Sequence, residues 1–216
     1  VSSQPCRECT DPYLPWGKNG PRAVAGRLGG VPFEYRAETV QLLRAPRHAY
    51  FGRSKDGPAE VPTDLPSSVE IVANKGIRGD RFFGVKAHTE AAVSFLAVEA
   101  WDAVGDVLGV EVPDPSMARR NVVVRGLELD PLRGLEFELN SGDGWIRFRG
   151  GRPAHPCAWM DRMVADGARK ALIGRGGLRA EPLSDGILRV GELAVRSPVE
   201  LDASRAALSV RRAQPI

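Results

Sequence analysis

Short alternating stretches, not long helical stripes, carry most of the hydrophobic residues of this chain. Thr39-Val40-Gln41-Leu42-Leu43, Val69-Glu70-Ile71-Val72, Leu135-Glu136-Phe137-Glu138-Leu139 and Trp145-Ile146-Arg147-Phe148-Arg149 read as strands. The last two flank Ser141-Gly142-Asp143-Gly144, and the three pieces together predict a hairpin. Arg119-Arg120-Asn121-Val122-Val123-Val124 ends in β-branched residues and reads as another strand, and Ile187 to Val195 adds short ones. Two stretches have helical spacing instead. Ala97, Trp101, Val104 and Leu108 share one face and stop at Gly109; Met160, Met163, Val164, Ala168 and Leu172 share another after Pro156. Many short strands, glycine turns and a few inserted helices predict a mainly β fold whose sheet closes fully or partly.

The pattern divides the chain into residues 1–36, 37–200 and 201–216. Residues 1 to 30 hold nine Pro or Gly and no periodicity, and they read as an extension. The Cys6-Arg7-Glu8-Cys9 pair within it reads as half of a zinc site, as a redox pair or as part of a flexible tail. Against zinc, no second pair of ligands follows, and a structural zinc wants four. The last stretch is arginine-rich and reads as a short helix or a tail.

Composition narrows the classes. The net charge of +3 on 216 residues is small and unclustered, which argues against a nucleic-acid partner. No apolar run approaches the roughly 20 residues of a membrane span, so no membrane role is expected. With no secretory pattern and an odd cysteine count, a reducing cytoplasm is the expected setting. Twenty-five arginines stand against five lysines. Codon bias accounts for such a skew, and it also suits bidentate recognition of phosphate or carboxylate.

Chemistry concentrates near Cys157. A strand-like segment ending in Gly150-Gly151-Arg152-Pro153-Ala154-His155-Pro156 delivers this thiol to the start of the second helix. A helix N-terminus favours thiolate, which is a metal ligand or a nucleophile. The same residue also reads as a small buried hydrophobe. Arg78, Asp80 and Arg81, in Gly76-Ile77-Arg78-Gly79-Asp80-Arg81, read as a surface ion pair or as a phosphate clamp.

These pieces, in this order, carry a resemblance. Gly76 to Arg81, Ala92-Val93-Ser94-Phe95-Leu96, Arg120-Asn121-Val122-Val123-Val124-Arg125-Gly126, Pro156-Cys157 and the closing glycine pairs resemble the MOSC family. That module is named for the C-terminal part of molybdenum-cofactor sulfurases and also occurs as stand-alone bacterial proteins. The resemblance spans roughly residues 37 to 196 and implies a β-barrel-like domain with peripheral helices.

It also implies a bound molybdenum cofactor, an anionic pterin dithiolene carrying a phosphate. Cys157 would ligate the metal or carry sulfur, since a soft thiolate suits molybdenum. Arg78, Arg81, Arg120 and Arg175 are candidate phosphate or pterin contacts, Asn121 a reader of the pterin edge, and Gly176 and Gly177 points of close backbone approach. Asp161 reads as an orienting group or as a favourable charge in the first helical turn. His155 reads as a proton donor or as a surface histidine. The reaction implied is reduction of N-hydroxylated small molecules. No four-cysteine iron–sulfur spacing and no GxGxxG after a strand is seen, so a separate electron-donor protein is expected. The alternative is a persulfide or cofactor carrier in molybdoenzyme maturation. That role would need a separate sulfur donor, because no pyridoxal-phosphate lysine motif is present. A pocket for some other anionic ligand is the third reading.

Overall fold

A computed structural model describes residues 22–23 and 32–210. The Cys6–Cys9 pair and residues 211–216 lie outside the described residues.

The sheet closes. The strands are β1 (Arg22–Ala23), β2 (Phe33–Leu42), β3 (Ser68–Val72), β4 (Gly76–Ile77), β5 (Val93–Ala97), β6 (Val122–Arg125), β7 (Glu136–Asn140), β8 (Ile146–Pro153), β9 (Leu178–Pro182), β10 (Gly186–Arg189) and β11 (Gly191–Ser197). Seven of them run β2-β11-β7-β8-β9-β5-β6, and β6 pairs back onto β2, making a mainly β, barrel-like fold. Every pairing in this ring is antiparallel except β5 with β6. That exception has a simple cause, since a crossover through helix α1 (Val98–Leu108) joins the two strands. The register slips between Thr39 and Gln41 at the seam, a bulge that lets β2 bend from β11 towards β6. β10, β3 and β4 form a separate three-stranded sheet.

Alternation places the interior as the sequence patterning requires. Phe137 and Leu139 on β7, Ile146 and Phe148 on β8, Leu178 and Ala180 on β9, and Leu193 and Val195 on β11 are all buried. β5, flanked on both sides, is buried at every position. Three rings anchor the middle: Phe95 meets Phe148 edge-on at 5.5 Å, and Phe137 stacks on Phe148 at 5.6 Å. Truncating any of these to alanine removes about 3–5 kcal/mol.

β2 begins at Phe33, six residues before the stretch whose alternation predicts it. The hairpin of β7 and β8 forms in the expected register, with Phe137 opposite Phe148. β9, between the two glycine turns, is a strand that the reading above does not contain. On α1, Trp101 and Val104 face the core, and the Trp101 indole donates to the Pro113 carbonyl at 2.8 Å.

The helix expected after Pro156 is two short pieces, α2 (Trp159–Met163) and α3 (Ala168–Ala171). Gly167 breaks it: its φ is +93°, and a Cβ there would lie 3.2 Å from Leu108. The apolar residues of the two pieces still reach the core, so the spacing is right and the continuity is not. Among the described residues no helix is long and apolar enough to cross a membrane.

Candidate functional site

A buried polar junction comes first, because it fixes the backbone on which the site stands. Asn121 sits just before β6 and is almost fully buried. Its side-chain oxygen accepts from the Ser94 N–H (3.1 Å) and the Ser94 hydroxyl (2.8 Å). Its amide nitrogen donates to the Leu43 carbonyl (3.2 Å) and to Asp80 (3.1 Å). Asp80 also accepts from the N–H groups of Ala45 and Phe82 and faces Arg81 at 3.3 Å. Four separate parts of the chain are thus tied together by groups that would each be costly to bury alone.

Above this junction lies a hollow of about 130 Å³, lined by Arg81, Arg119, Arg120, Arg179, His48, Tyr50, Phe82, Ser94, Met160 and Cys157, among others. Cys157 is exposed, not sealed among aliphatic neighbours. Arg120 is the most extensively hydrogen-bonded of the cations. It donates to the carbonyls of Ala118 (2.9 Å), Ala154 (3.0 Å) and Gly176 (3.1 Å), with His155 at 3.4 Å. Burial, then the neighbouring Arg179 charge, pushes Arg120 down to about 10, which still leaves it charged at neutral pH.

Arg81, Arg119 and Arg179 are likewise lowered, first by burial. Arg81 faces the only carboxylate near the hollow among the described residues, Asp80, and its guanidinium lies 4.9 Å from the centre of the Phe82 ring. Arg119 donates to the Thr63 hydroxyl at 2.5 Å, but its buried Nη2 has no acceptor among the described residues. The Arg179 side chain makes no hydrogen bond or ion pair there. Four guanidinium groups against one engaged carboxylate leave the hollow strongly positive. An anion entering it would gain charge-assisted bonds from donors already in place.

Tyr50 stacks on Trp159 at 5.1 Å and donates to the Met117 carbonyl at 2.8 Å, tying the loop after β2 to α2. Burial raises its phenol, so it stays neutral. His48 is pushed below its usual 6.5 by desolvation and then by Arg81, which makes it a neutral imidazole at pH 7. Arg119 holds a left-handed backbone conformation, φ +57°, rare for a residue with a side chain.

Sequence-expected residues divide between this hollow and the rest of the surface. Arg81, Arg120 and Cys157 meet in it. Asn121 lies directly beneath, its amide wholly used inside the protein, so it builds the site and leaves no edge for a ligand. Arg78 lies elsewhere, exposed, in a two-pronged pair with Glu70 at 2.6 and 2.8 Å, a carboxylate on β3 and not the Asp80 of its own loop. Arg175, Gly176, Gly177 and His155 line a different and larger cavity.

The two glycines are set by strand contacts. A Cβ on Gly177 would lie 1.9 Å from the Phe95 carbonyl, and one on Gly176 2.5 Å from that of Ala154. Asp161 accepts from the Arg169 N–H at 2.8 Å, satisfying a free donor in the first turn of α3. Because α2 has only five residues, the dipole argument for Cys157 has little helix behind it.

Arg119, Arg179, His48 and Tyr50 were not singled out from sequence. Arg179 had a signal, since Leu178-Arg179-Ala180-Glu181-Pro182 alternates as a strand should. His48 and Tyr50 sit in a proline-punctuated loop with no periodicity to mark them. Among the described residues no three His, Cys, Asp or Glu gather as a metal set.

No protein-family model matches this chain, and no curated protein matches it in sequence. Solved structures do resemble it. The YuaD protein of Bacillus subtilis superposes with a TM-score of 0.59 at 17% identity, covering 77% of this chain and 99% of that one. YiiM of Geobacillus stearothermophilus gives 0.49 at 14% identity, over 74% of this chain and 75% of that one. At such identities the likeness is one of fold, and this chain shares the barrel architecture of YuaD.

Proposed function

We propose that the hollow beside Cys157 binds the anionic molybdenum cofactor, with the Cys157 sulfur as the protein's ligand to the metal. One observation carries this reading: an exposed thiol lines a hollow walled by four guanidinium groups and, among the described residues, by no carboxylate. The order of the MOSC-like segments and the fold shared with YuaD support it. The donor set fits the group. A coordinating thiol is deprotonated outright by its metal, and the dithiolene brings the cofactor's other sulfur donors. Arg119, with a buried Nη2 unsatisfied among the described residues, and Arg179, without a hydrogen-bond or ion-pair partner among them, are the natural phosphate or pterin contacts. The hollow of about 130 Å³ holds only an anionic part of the cofactor, so the remainder extends over the exposed Cys157.

When bound, the cofactor supplies two-electron chemistry at nitrogen–oxygen bonds. The reaction is reduction of an N-hydroxylated small molecule. R–NH–OH takes up two electrons and two protons to give R–NH₂ and water, and the electrons come from a separate donor protein. This chain's own residues position and protonate. Arg120 holds the Cys157 segment by its bonds to Ala154 and His155. His48, held neutral in the hollow, relays protons from solvent towards the leaving oxygen.

Metal and pterin analysis of protein made in cells able to produce the cofactor tests the reading. Roughly stoichiometric molybdenum with an oxidised pterin fluorophore is expected, lost together in Cys157→Ser along with reductase activity. A folded protein from such cells with neither molybdenum nor pterin overturns it. The exposure of Cys157 also suits the second reading, a persulfide or cofactor carrier that does not turn over a small molecule. A cyanide-labile sulfur on Cys157 without reductase activity selects that one.

A further inference from the structure

We propose that the larger cavity of this protein is a second binding site, for a small organic anion with an apolar body, separate from the Cys157 hollow. As bounded by the described residues it encloses about 890 Å³, against about 130 Å³ for the hollow. That lies within the roughly 300–1,000 Å³ of small-molecule sites. It opens where β8 ends and β9 begins, and the segment from Arg205 to Val210 forms one wall. No lining residue is common to both cavities.

Its chemistry is mixed in a specific way. Ile173 and Leu208 give it exposed apolar surface, while Arg133, Lys170 and Arg175 give it charge. The two carboxylates in its wall are already occupied. Glu128 faces Arg205 at 3.2 Å and accepts from the Asp202 N–H at 3.0 Å, and Asp130 faces Arg133 at 3.8 Å. Lys170 and Arg175 have no carboxylate partner among the described residues.

Arg175 has five N–H donors and uses one, to the Ala207 carbonyl at 3.1 Å; its buried Nε has no acceptor there. The Nε of Arg133 is in the same condition. Buried guanidinium donors left without acceptors are costly, and they are rare where nothing is bound. A carboxylate, sulfonate or phosphate on an apolar body accepts from the remaining guanidinium N–H groups of Arg175 and from Lys170, and covers the exposed Ile173 and Leu208 at once. An anion without such a body would leave the apolar walls wet. Arg120 lies between the two sites, bonded to the carbonyls of Ala154, His155 and Gly176, which line the larger cavity. A ligand there presses on the backbone that holds the Cys157 hollow in shape.

The test is a fluorescence titration of the full, folded chain with 8-anilinonaphthalene-1-sulfonate, an aromatic body carrying one sulfonate. Saturable binding near one probe per chain is expected, with far-UV circular dichroism and the melting transition those of the native protein. Arg175→Gln and Lys170→Glu should each weaken binding about tenfold, as loss of one charge-assisted contact requires. Arg179→Gln, in the other hollow, should leave it unchanged. If Arg175→Gln fails to fold, Lys170→Glu carries the test alone, because its exposed ammonium holds nothing together among the described residues. Non-saturable binding to the native chain overturns the proposal, as does unchanged affinity in the folded variants. Equal weakening by Arg179→Gln would put the probe in the hollow and overturn it too.

Discussion

Replacing Arg120 by Met keeps most of the buried stem and removes both the charge and every donor. Three carbonyls, of Ala118, Ala154 and Gly176, then lose bonds of 2.9 to 3.1 Å. Hydrogen bonds from a charged group are worth about 1.5–3 kcal/mol each. Against that loss stands the expense of burying the guanidinium. A displacement from 12.5 to about 10 corresponds to roughly 3 kcal/mol against the charged form. The difference favours the arginine by about 3 kcal/mol. For a chain of this length that is a fall of roughly 10 °C in melting temperature. Urea unfolding followed by tryptophan fluorescence at pH 7, with a thermal melt beside it, reads both quantities. Arg120→Lys, which keeps a charge but not the fork, should fall between the two. If Arg120→Met unfolds within about 0.5 kcal/mol of the native chain, the carbonyl bonds are not what makes this buried charge tolerable, and the account of the hollow fails.

Three more outcomes are expected. His48 should titrate below 6.5 by NMR, because desolvation and Arg81 favour its neutral form. The unfolded chain then takes up that proton first, so stability falls as pH drops from 6.5 towards the folded value, and His48→Gln should flatten that slope. A His48 titrating at or above 6.5 contradicts this. Gly177→Ala should cost more than about 3 kcal/mol in denaturant unfolding, since its Cβ meets the Phe95 carbonyl at 1.9 Å and φ is +102°. A near-native midpoint would mean that β9 and β5 are free to part there. Arg78→Ala should retain native stability and any bound molybdenum, while Arg179→Gln should lose metal on gel filtration; the reverse order would move the anion site to Arg78.

How far the sequence reveals this molecule depends on whether a residue acts through local pattern or through distant contact. Phe137, Phe148 and Leu193 announce their strands because burial on one face imposes alternation. The helix after Pro156 was legible in its apolar spacing but not in its break, because Gly167 turns against Leu108, a residue on another element. Arg81, Ser94, Arg120 and Cys157 come from four of the five MOSC-like segments, and the barrel brings all four to one hollow. Asn121 misleads for a physical reason: an amide able to read a ligand is equally able to staple a fold, and only its neighbours decide. Arg78 and Arg81, three residues apart, differ in the same way. One finds Glu70 at the surface and the other finds Asp80 inside.

The seam of the barrel has a consequence for how the chain is made. β2 must pair with β11, so the register from Thr39 to Phe33 against Gly191 to Ser197 joins residues more than 150 positions apart. Until Ser197 has been synthesised, β2 and β7 face each other across a gap with bare hydrogen-bonding edges. Such edges recruit other chains, and pairings this distant form slowly. A nascent or truncated chain lacking β11 is therefore a sticky half-cylinder, and yield from a cell depends on how quickly that last slat drops into place.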